Sequence, residues 1–272
     1  MRISRRLFRN TPVQRWKFSS FVYRHAAIGA FGTETAEVSF RGSRILYPGG
    51  DHTTLPTLMD GIYEANELDE LIKYLDSLTS PITAIDIGAN VGIWTVLLAR
   101  HPNVRQVLAF EPSQSNLSFL RSNLEINQIQ DKVVVIEAAV SDFDGEITFD
   151  DLGSGATKRI SQTGSAIVSS VTLDTYLQGK QIDFIKIDVE GYEPSVLTGA
   201  WKTLEACLPA MFIEYSLPQV EAAGLSWAQT GKRLCSLYGE FTVISDSELV
   251  QKFDFVSLES DKRLLNLKFI KR

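Results

Sequence analysis

Sulfur and histidine are scarce in this chain: two cysteines, three methionines and three histidines among 272 residues. Two cysteines, Cys207 and Cys235, are too few for a disulfide framework. They suit a reducing compartment, so both are read as small buried hydrophobes of a cytoplasmic protein. His25 lies in a basic stretch, His52 in a polar turn and His101 at a helix end before Pro102. No Ser-His-Asp order and no His/Cys ligand spacing can be read from them, which sets aside hydrolytic triads and zinc sites. Runs of 18 or more apolar residues are missing, so no membrane-spanning helix is expected. A short apolar core behind a charged start is missing too, so no secretory signal is read. Internal repeats and low-complexity linkers are absent, and with them the solenoid and tail classes.

Acid is absent from residues 1–33, which carry Arg2, Arg5, Arg6, Arg9, Arg15, Lys17 and Arg24. Those seven of the 27 basic residues leave 20 against 33 acids in the remainder, so the body is strongly acidic. Such a body excludes nucleic acid as the expected partner, because phosphate binding needs a basic footprint. The basic stretch interleaves Leu7, Phe8, Val13, Trp16, Phe18, Phe21 and Val22. It is read as a helix packed on the domain, with contact to an anionic membrane surface or a carrier protein as its functional use.

What is present is enough apolar material, 44% of residues, for a full core. Two regions are expected, residues 1–80 and 81–272. The first holds the basic helix, strand-like pieces at Ala36–Phe40 and Arg44–Tyr47, the Pro48-Gly49-Gly50-Asp51 turn and a helix from about Gly61 to Leu78. The second alternates strands and helices. Strands are expected at Ile82–Ile87, Gln106–Phe110, Val133–Ile136, Phe184–Ile187 and Met211–Tyr215. Helices are expected near Ser113–Asn127, Pro194–Glu205 and Trp227–Tyr238, with another carrying Trp94, Val96, Leu97 and Leu98. Strands at 241–244, 253–258 and 264–270 close the chain, the last two joined by a hairpin at 259–262. The polar stretch with Gly145, Gly153, Gly155 and Gly164 is read as a hairpin and loop. Strict alternation means a parallel sheet with right-handed crossovers, and the closing hairpin adds an antiparallel edge. Ligands of such sheets bind outside the carboxyl ends of the strands.

The candidate site residues sit at those ends. Asp86-Ile87-Gly88-Ala89-Asn90-Val91-Gly92 is the first strand-to-helix turn. Its Gly88-x-x-x-Gly92 spacing departs from the G-x-G-x-x-G of pyrophosphate binders. With Asp86 ahead of it, the turn suits a ligand bearing a cationic amino acid group. Glu111 ends the second strand, where a carboxylate can accept both hydroxyls of a ribose. Pro112 after it restricts the backbone and fixes where the carboxylate points. Ser141 and Asp142 close the third strand and are expected beside a nucleobase. Asp188 and Glu190 end the fourth strand and Glu214 lies on the fifth, where a base, a hard-cation site or a substrate clamp would stand. Glu193, ahead of Pro194, is read as a helix-start acid.

The ordered set DIGANVG, FEP, AAVSD, IKIDVEGYEPSVLTGA and IEY resembles the FkbM-type family of S-adenosylmethionine-dependent methyltransferases, over roughly residues 45–217. GIYEANELDELI is similar to that family's Gly-x-Tyr-Glu segment. The resemblance implies an α/β, Rossmann-like class I fold, with a seven-stranded, mostly parallel sheet ordered 3-2-1-4-5-7-6 and helices on both faces. It implies S-adenosyl-L-methionine as donor, with Asp86, Gly88, Asn90 and Gly92 at its methionine end and Glu111 at its ribose; Pro112, Ser141, Asp142 and Asp188 are counted beside them as candidate cofactor-binding residues. Tyr63 and Glu64 would close over the site. Asp188, Glu190 and Glu214 are the candidate catalytic residues, with Mg²⁺ left open and no metal assigned. The expected activity is O-methylation of a hydroxyl on a sugar or natural product, a small-molecule acceptor. Its rivals are methyl-ester formation on a small molecule or peptide, a nicotinamide-dependent oxidoreductase and a non-catalytic docking module.

Overall fold

The computed structural model describes residues 35–51, 53–151, 158–160, 164–239, 241–244, 249–253 and 264–270. The basic stretch and the 259–262 hairpin expected from the sequence lie outside the described residues. The chain forms two compact units, residues 1–65 and 66–272.

In the first unit, β1 (Thr35–Phe40) and β2 (Ser43–Pro48) form an antiparallel hairpin with Val38 opposite Ile45. Alternate residues Ala36, Val38, Phe40, Ile45 and Tyr47 are buried, the period-two pattern of a half-covered strand pair. A short helix, α1 (Thr54–Asp60), follows the expected turn, where no element was expected. Asp51 makes it start: its Oδ1 accepts the backbone N–H groups of Thr53 and Thr54, both at 2.7 Å, while the Tyr47 hydroxyl donates to Oδ2 at 3.1 Å. Pro56 looks like a breaker in the sequence, but proline is tolerated in a first turn.

The helix expected from about Gly61 starts later, as α2 (Ala65–Asp76), because Gly61 caps α1 in the left-handed conformation. α2 belongs to the second unit nearly whole, so the units divide at residue 65 and not near 80. Asn266 donates to Glu67 at 3.1 Å, Lys268 donates to Glu70 at 2.7 Å, and Tyr74 stacks on Phe184 at 5.8 Å.

The second unit is built on β3 (Ile82–Ile87), β4 (Val104–Phe110), β5 (Val133–Ile136), β10 (Phe184–Ile187) and β11 (Ala210–Tyr215), all parallel. With β12 (Phe241–Ile244), β13 (Leu249–Phe253) and β14 (Leu265–Phe269), they give an eight-stranded sheet ordered β13-β12-β14-β11-β10-β3-β4-β5. Counted without β13, this is the expected 3-2-1-4-5-7-6, and β13 is an added edge. The strand expected at 253–258 lies, but for Phe253, outside the described residues. β14 lies between β11 and β12, antiparallel to both, and β12 pairs antiparallel with β13.

Helices cover both faces. α3 (Ile93–Arg100) puts Trp94 against Phe212 at 6.0 Å. On the other face Ile85, Ile185, Ile187 and Ile213 join Val196, Leu204 and Leu234. Those last three come from α6 (Glu193–Thr198), α7 (Trp201–Cys207) and α9 (Ala228–Tyr238). Each buried aliphatic side chain contributes about 1.5–3 kcal/mol.

Three local departures have non-local causes. The single helix expected at 194–205 is split at Gly199, where an added Cβ would lie 2.0 Å from the Ser141 carbonyl oxygen. The polar interlude forms a four-stranded sheet from β6 (Ala139–Val140), β7 (Gly145–Asp150), β8 (Arg159–Ile160) and β9 (Ala166–Val171). Two short helices, α5 (Leu173–Leu177) and α8 (Leu217–Ala222), fill connections that carried no helical period. The remaining helix, α4 (Gln114–Ile126), is the expected one, capped by Ser113.

Candidate active site

β3, β10 and β11 run side by side, with Lys186 in register with Asp86 and Ile187 in register with Ile213. Their carboxyl ends therefore open at one level. The β3 and β10 turns pack backbone on backbone. Gly88 has φ +80°, and a Cβ there would meet the Asp188 carbonyl oxygen at 1.8 Å. Glycine is needed for both reasons.

Asp86 is fully buried and accepts the Thr95 hydroxyl at 2.6 Å on Oδ2, while Oδ1 has no hydrogen-bond partner. Burial pushes its carboxyl upward, with Lys186 and Thr95 pulling it back. Asn90 is left-handed at φ 53°, and its buried Oδ1 also lacks a partner. Gly92 opens α3 from φ 90°. This turn therefore presents unfilled acceptors, as a cationic ligand group requires.

Glu111 is buried beside Pro112 and turns onto the surrounding main chain. Its Oε2 accepts Asn90 N–H at 2.7 Å; its Oε1 accepts Ser113 N–H at 2.9 Å and Asn116 Nδ2 at 3.2 Å. Burial nevertheless pushes the carboxyl up to about 7. One lone pair remains at Oε2 for a further donor. Ser141 is fully buried, and its hydroxyl bonds Ser170 at 2.6 Å and the Phe143 carbonyl at 3.1 Å. Asp142 accepts the Ser195 hydroxyl at 2.7 Å. Tyr63 packs edge-on against Phe40 at 6.1 Å and Glu64 has φ 40°, both in the first unit.

The acids at β10 and β11 come together. Asp188, Glu190 and Glu214 each offer an oxygen within 4.8 Å of the others. Such oxygens suit a hard divalent cation such as Mg²⁺ as well as a hydroxyl group. Asp188 is ion-paired with buried Lys186 at 2.8 Å, and that ammonium also lies over the Trp94 ring at 4.9 Å. Glu190, left-handed at φ 55°, is held by the side-chain amide of Gln219. Burial and the charges of Asp188 and Glu193 push Glu190 up to about 8. Burial, then Asp188, Glu190 and Glu193, raise Glu214 well above the usual carboxylate range, and its Oε2 has no partner. Glu193 is buried and ties the turn by accepting the N–H groups of Val189 and Gly191, both at 3.1 Å.

Sequence reasoning did not single out Lys186, Gln219, Thr95 or Ser195. Lys186 was findable, since period-two alternation places it on the same face as Asp188. Gln219 was not, because α8 reaches Glu190 across 29 positions.

The Methyltransferase FkbM domain pattern matches residues 86–259, more than half of the chain. The chain belongs to that family. With membership the nicotinamide alternative falls, in keeping with the Gly88-x-x-x-Gly92 turn. The chain is 25% identical over 126 residues to a protein named hexuronic acid methyltransferase AglP, from Haloferax volcanii, covering 44% of this chain and 51% of that one. It is 28% identical over 152 residues to methyltransferase sdnD of Sordaria araneosa, covering 42% and 59%. This FkbM-family chain thus spans about half to three fifths of those relatives. Its fold is similar to that of a SAM-dependent methyltransferase from Agrobacterium tumefaciens, with TM-score 0.52 and 10% identity, covering 88% of this chain and 70% of that one.

Proposed function

We propose that this chain is an S-adenosylmethionine-dependent O-methyltransferase acting on a hydroxyl of a sugar or natural-product intermediate. The observation that carries the reading is the Glu190–Glu214 pair beside ion-paired Asp188 at the carboxyl ends of β10 and β11. When bound, S-adenosylmethionine supplies an electrophilic methyl group on a positively charged sulfur. The unfilled oxygens of Asp86 and Asn90 fit its cationic amino group, and the remaining lone pair of Glu111 fits a ribose hydroxyl. Asp142 and nearby main chain are assigned to the base edge.

An alcohol must lose its proton as it is methylated, so a base within hydrogen-bond reach is needed. Asp188, engaged by Lys186, is assigned to orienting the acceptor. Glu190 is assigned as base, because its carboxyl near 8 is matched to proton transfer at mildly alkaline pH. Glu214 raises the proton affinity of the pair, since adjacent carboxylates resist double ionisation. No step is assigned to a metal ion.

Methyl-ester formation is the second reading, favoured by the hexuronic acid in the name of the Haloferax relative. An ionised acceptor would need no base, but it would meet Asp188, Glu190 and Glu214 as like charges. Tritiated-methyl transfer to a panel of hydroxyl and carboxyl acceptors tests the choice. Glu190→Gln should lower kcat by roughly 10²-fold or more and remove a rise in rate through about pH 8. Unchanged turnover in both Glu190→Gln and Glu214→Gln would sink the assignment.

A cytoplasmic setting belongs to the same reading, with Cys207 and Cys235 too few for a disulfide framework. Among the described residues no helix is long and apolar enough to cross a membrane. The basic residues before 25 are proposed to meet an anionic membrane surface or a carrier protein, which flotation with anionic liposomes tests.

A further inference from the structure

The inserted sheet reaches the cofactor end of the site through one lysine. Lys158, immediately before β8, has a side chain only 7% exposed and is ion-paired with Asp151, just past β7, at 3.2 Å. Its ammonium donates to Ser113 Oγ at 3.0 Å, to Asn116 Oδ1 at 3.4 Å and to Ser115 Oγ. Asp151 in turn accepts the Ser113 hydroxyl at 2.5 Å. Ser113 and Asn116 are the residues that donate to Glu111 Oε1. A Lys158–Asp151 pair from the insert therefore grips the two residues that hold Oε1 of the β4 acid.

Helix stability does not explain this placement. Ser113 is the N-cap of α4, and a cation at a helix N-terminus faces the positive end of the macrodipole. That orientation is unfavourable where an acid would stabilise. Asp151 offsets it, but an aliphatic residue at 158 would need no offset. What Lys158 does supply is orientation. An amide side chain can present either end to Glu111, and an ammonium on Oδ1 fixes Nδ2 toward the carboxylate.

We propose that Lys158 is a positioning residue of the cofactor site: through Asn116 and Ser113 it aims the Glu111 carboxylate at the hydroxyl groups of the bound nucleoside. The proposal rests on the cofactor reading above. It extends the site to the insert, which none of the strand-end residues predicts. Lys158 is the charged group acting on Glu111, and it lowers the carboxyl that burial raises to about 7. Among the described residues, Asn90, Ser113 and Asn116, which donate to Glu111, are neutral, and Asp151 lies beyond Ser113 as the counter-charge of Lys158.

Calorimetric titration of the full chain with S-adenosylhomocysteine, from pH 6 to 8.5, tests this without turnover. Lys158→Met should weaken binding severalfold at pH 7, because Glu111 is then less firmly aimed and less ionised. It should also move the acid-side loss of affinity to higher pH, since Glu111 then holds its proton longer. Lys158→Arg should return most of the affinity and the parental midpoint. Asp151→Asn, which removes the anchor that holds Lys158 against Asn116, should weaken binding in the same direction by less without raising the midpoint, and its affinity carries the test if Lys158→Met does not fold. Parental affinity and midpoint in Lys158→Met, with parental affinity in Asp151→Asn, would overturn the proposal alone. Absence of binding by the unaltered chain would overturn the cofactor reading and the proposal together.

Discussion

Lys186 stands on β10, between β3 and β11, at a position of a parallel sheet that ordinarily takes an aliphatic side chain. An ammonium there is tolerable only because its charge is answered on two sides, by Asp188 at 2.8 Å and by the Trp94 ring at 4.9 Å. Its charge also acts on Asp86 and Glu190, pulling both carboxyls down against burial. Replacing one partner of such a pair leaves the other without its counter-charge. Lys186→Met, which keeps the volume, should therefore cost about 3 kcal/mol in urea denaturation. The same variant should move the pH at which turnover rises further upward, because Glu190 loses a compensating cation. A variant as stable as the parent would show that Lys186 does not hold the acids.

At the scale of elements, the strand–helix alternation from β3 to β11 was legible because each strand is an apolar run and each helix carries a repeating face. The glycine turn, Glu111 and the acids of IKIDVEGYE were legible for a related reason: chemistry at strand ends interrupts those runs. What was not legible depends on contacts distant in sequence. Nothing local to Leu265–Phe269 says that it inserts between β11 and β12 in place of pairing with its sequence neighbour. The break between α6 and α7 is of the same kind, since Gly199 is where the Ser141 carbonyl passes. Ser141 itself was expected at a nucleobase, but Ser170, 29 positions on, takes its hydroxyl. Gly199→Ala should push the insert off the α6–α7 junction and cost roughly 1–3 kcal/mol, the range for an unaccommodated methyl group. A melting temperature equal to the parent's would show that the junction yields without strain.

Over the whole molecule, several buried acids hold protons longer folded than unfolded. Glu111 and Glu193 stand near 7 and Glu190 near 8, against the usual 4.5. For an acid whose folded value is raised, the stabilising contribution is complete below the unfolded value and disappears as pH rises through the folded one. The free chain should therefore lose stability steadily from about pH 5 to pH 8, by roughly 3 kcal/mol for each fully buried group. Urea midpoints across that range measure it, and Glu190→Gln should flatten the slope near its upper end. Stability that rises over the same interval would contradict the placement of these acids. The acidic body, 33 acids against 20 basic residues beyond residue 33, adds repulsion in the same direction.

The place of β14 sets an order of events during synthesis. β11 and β12 each offer β14 an edge, and only residues 265–269 close the gap between them. While a ribosome still holds those residues, the five parallel strands can assemble, but β11 ends in an open ladder of unpaired backbone groups. The seam that completes the sheet is thus made only after both strands that flank it, and its pairing with β11 closes a long loop. A nascent chain paused before Leu265 is the form most exposed to self-association, and the one a chaperone has most reason to hold.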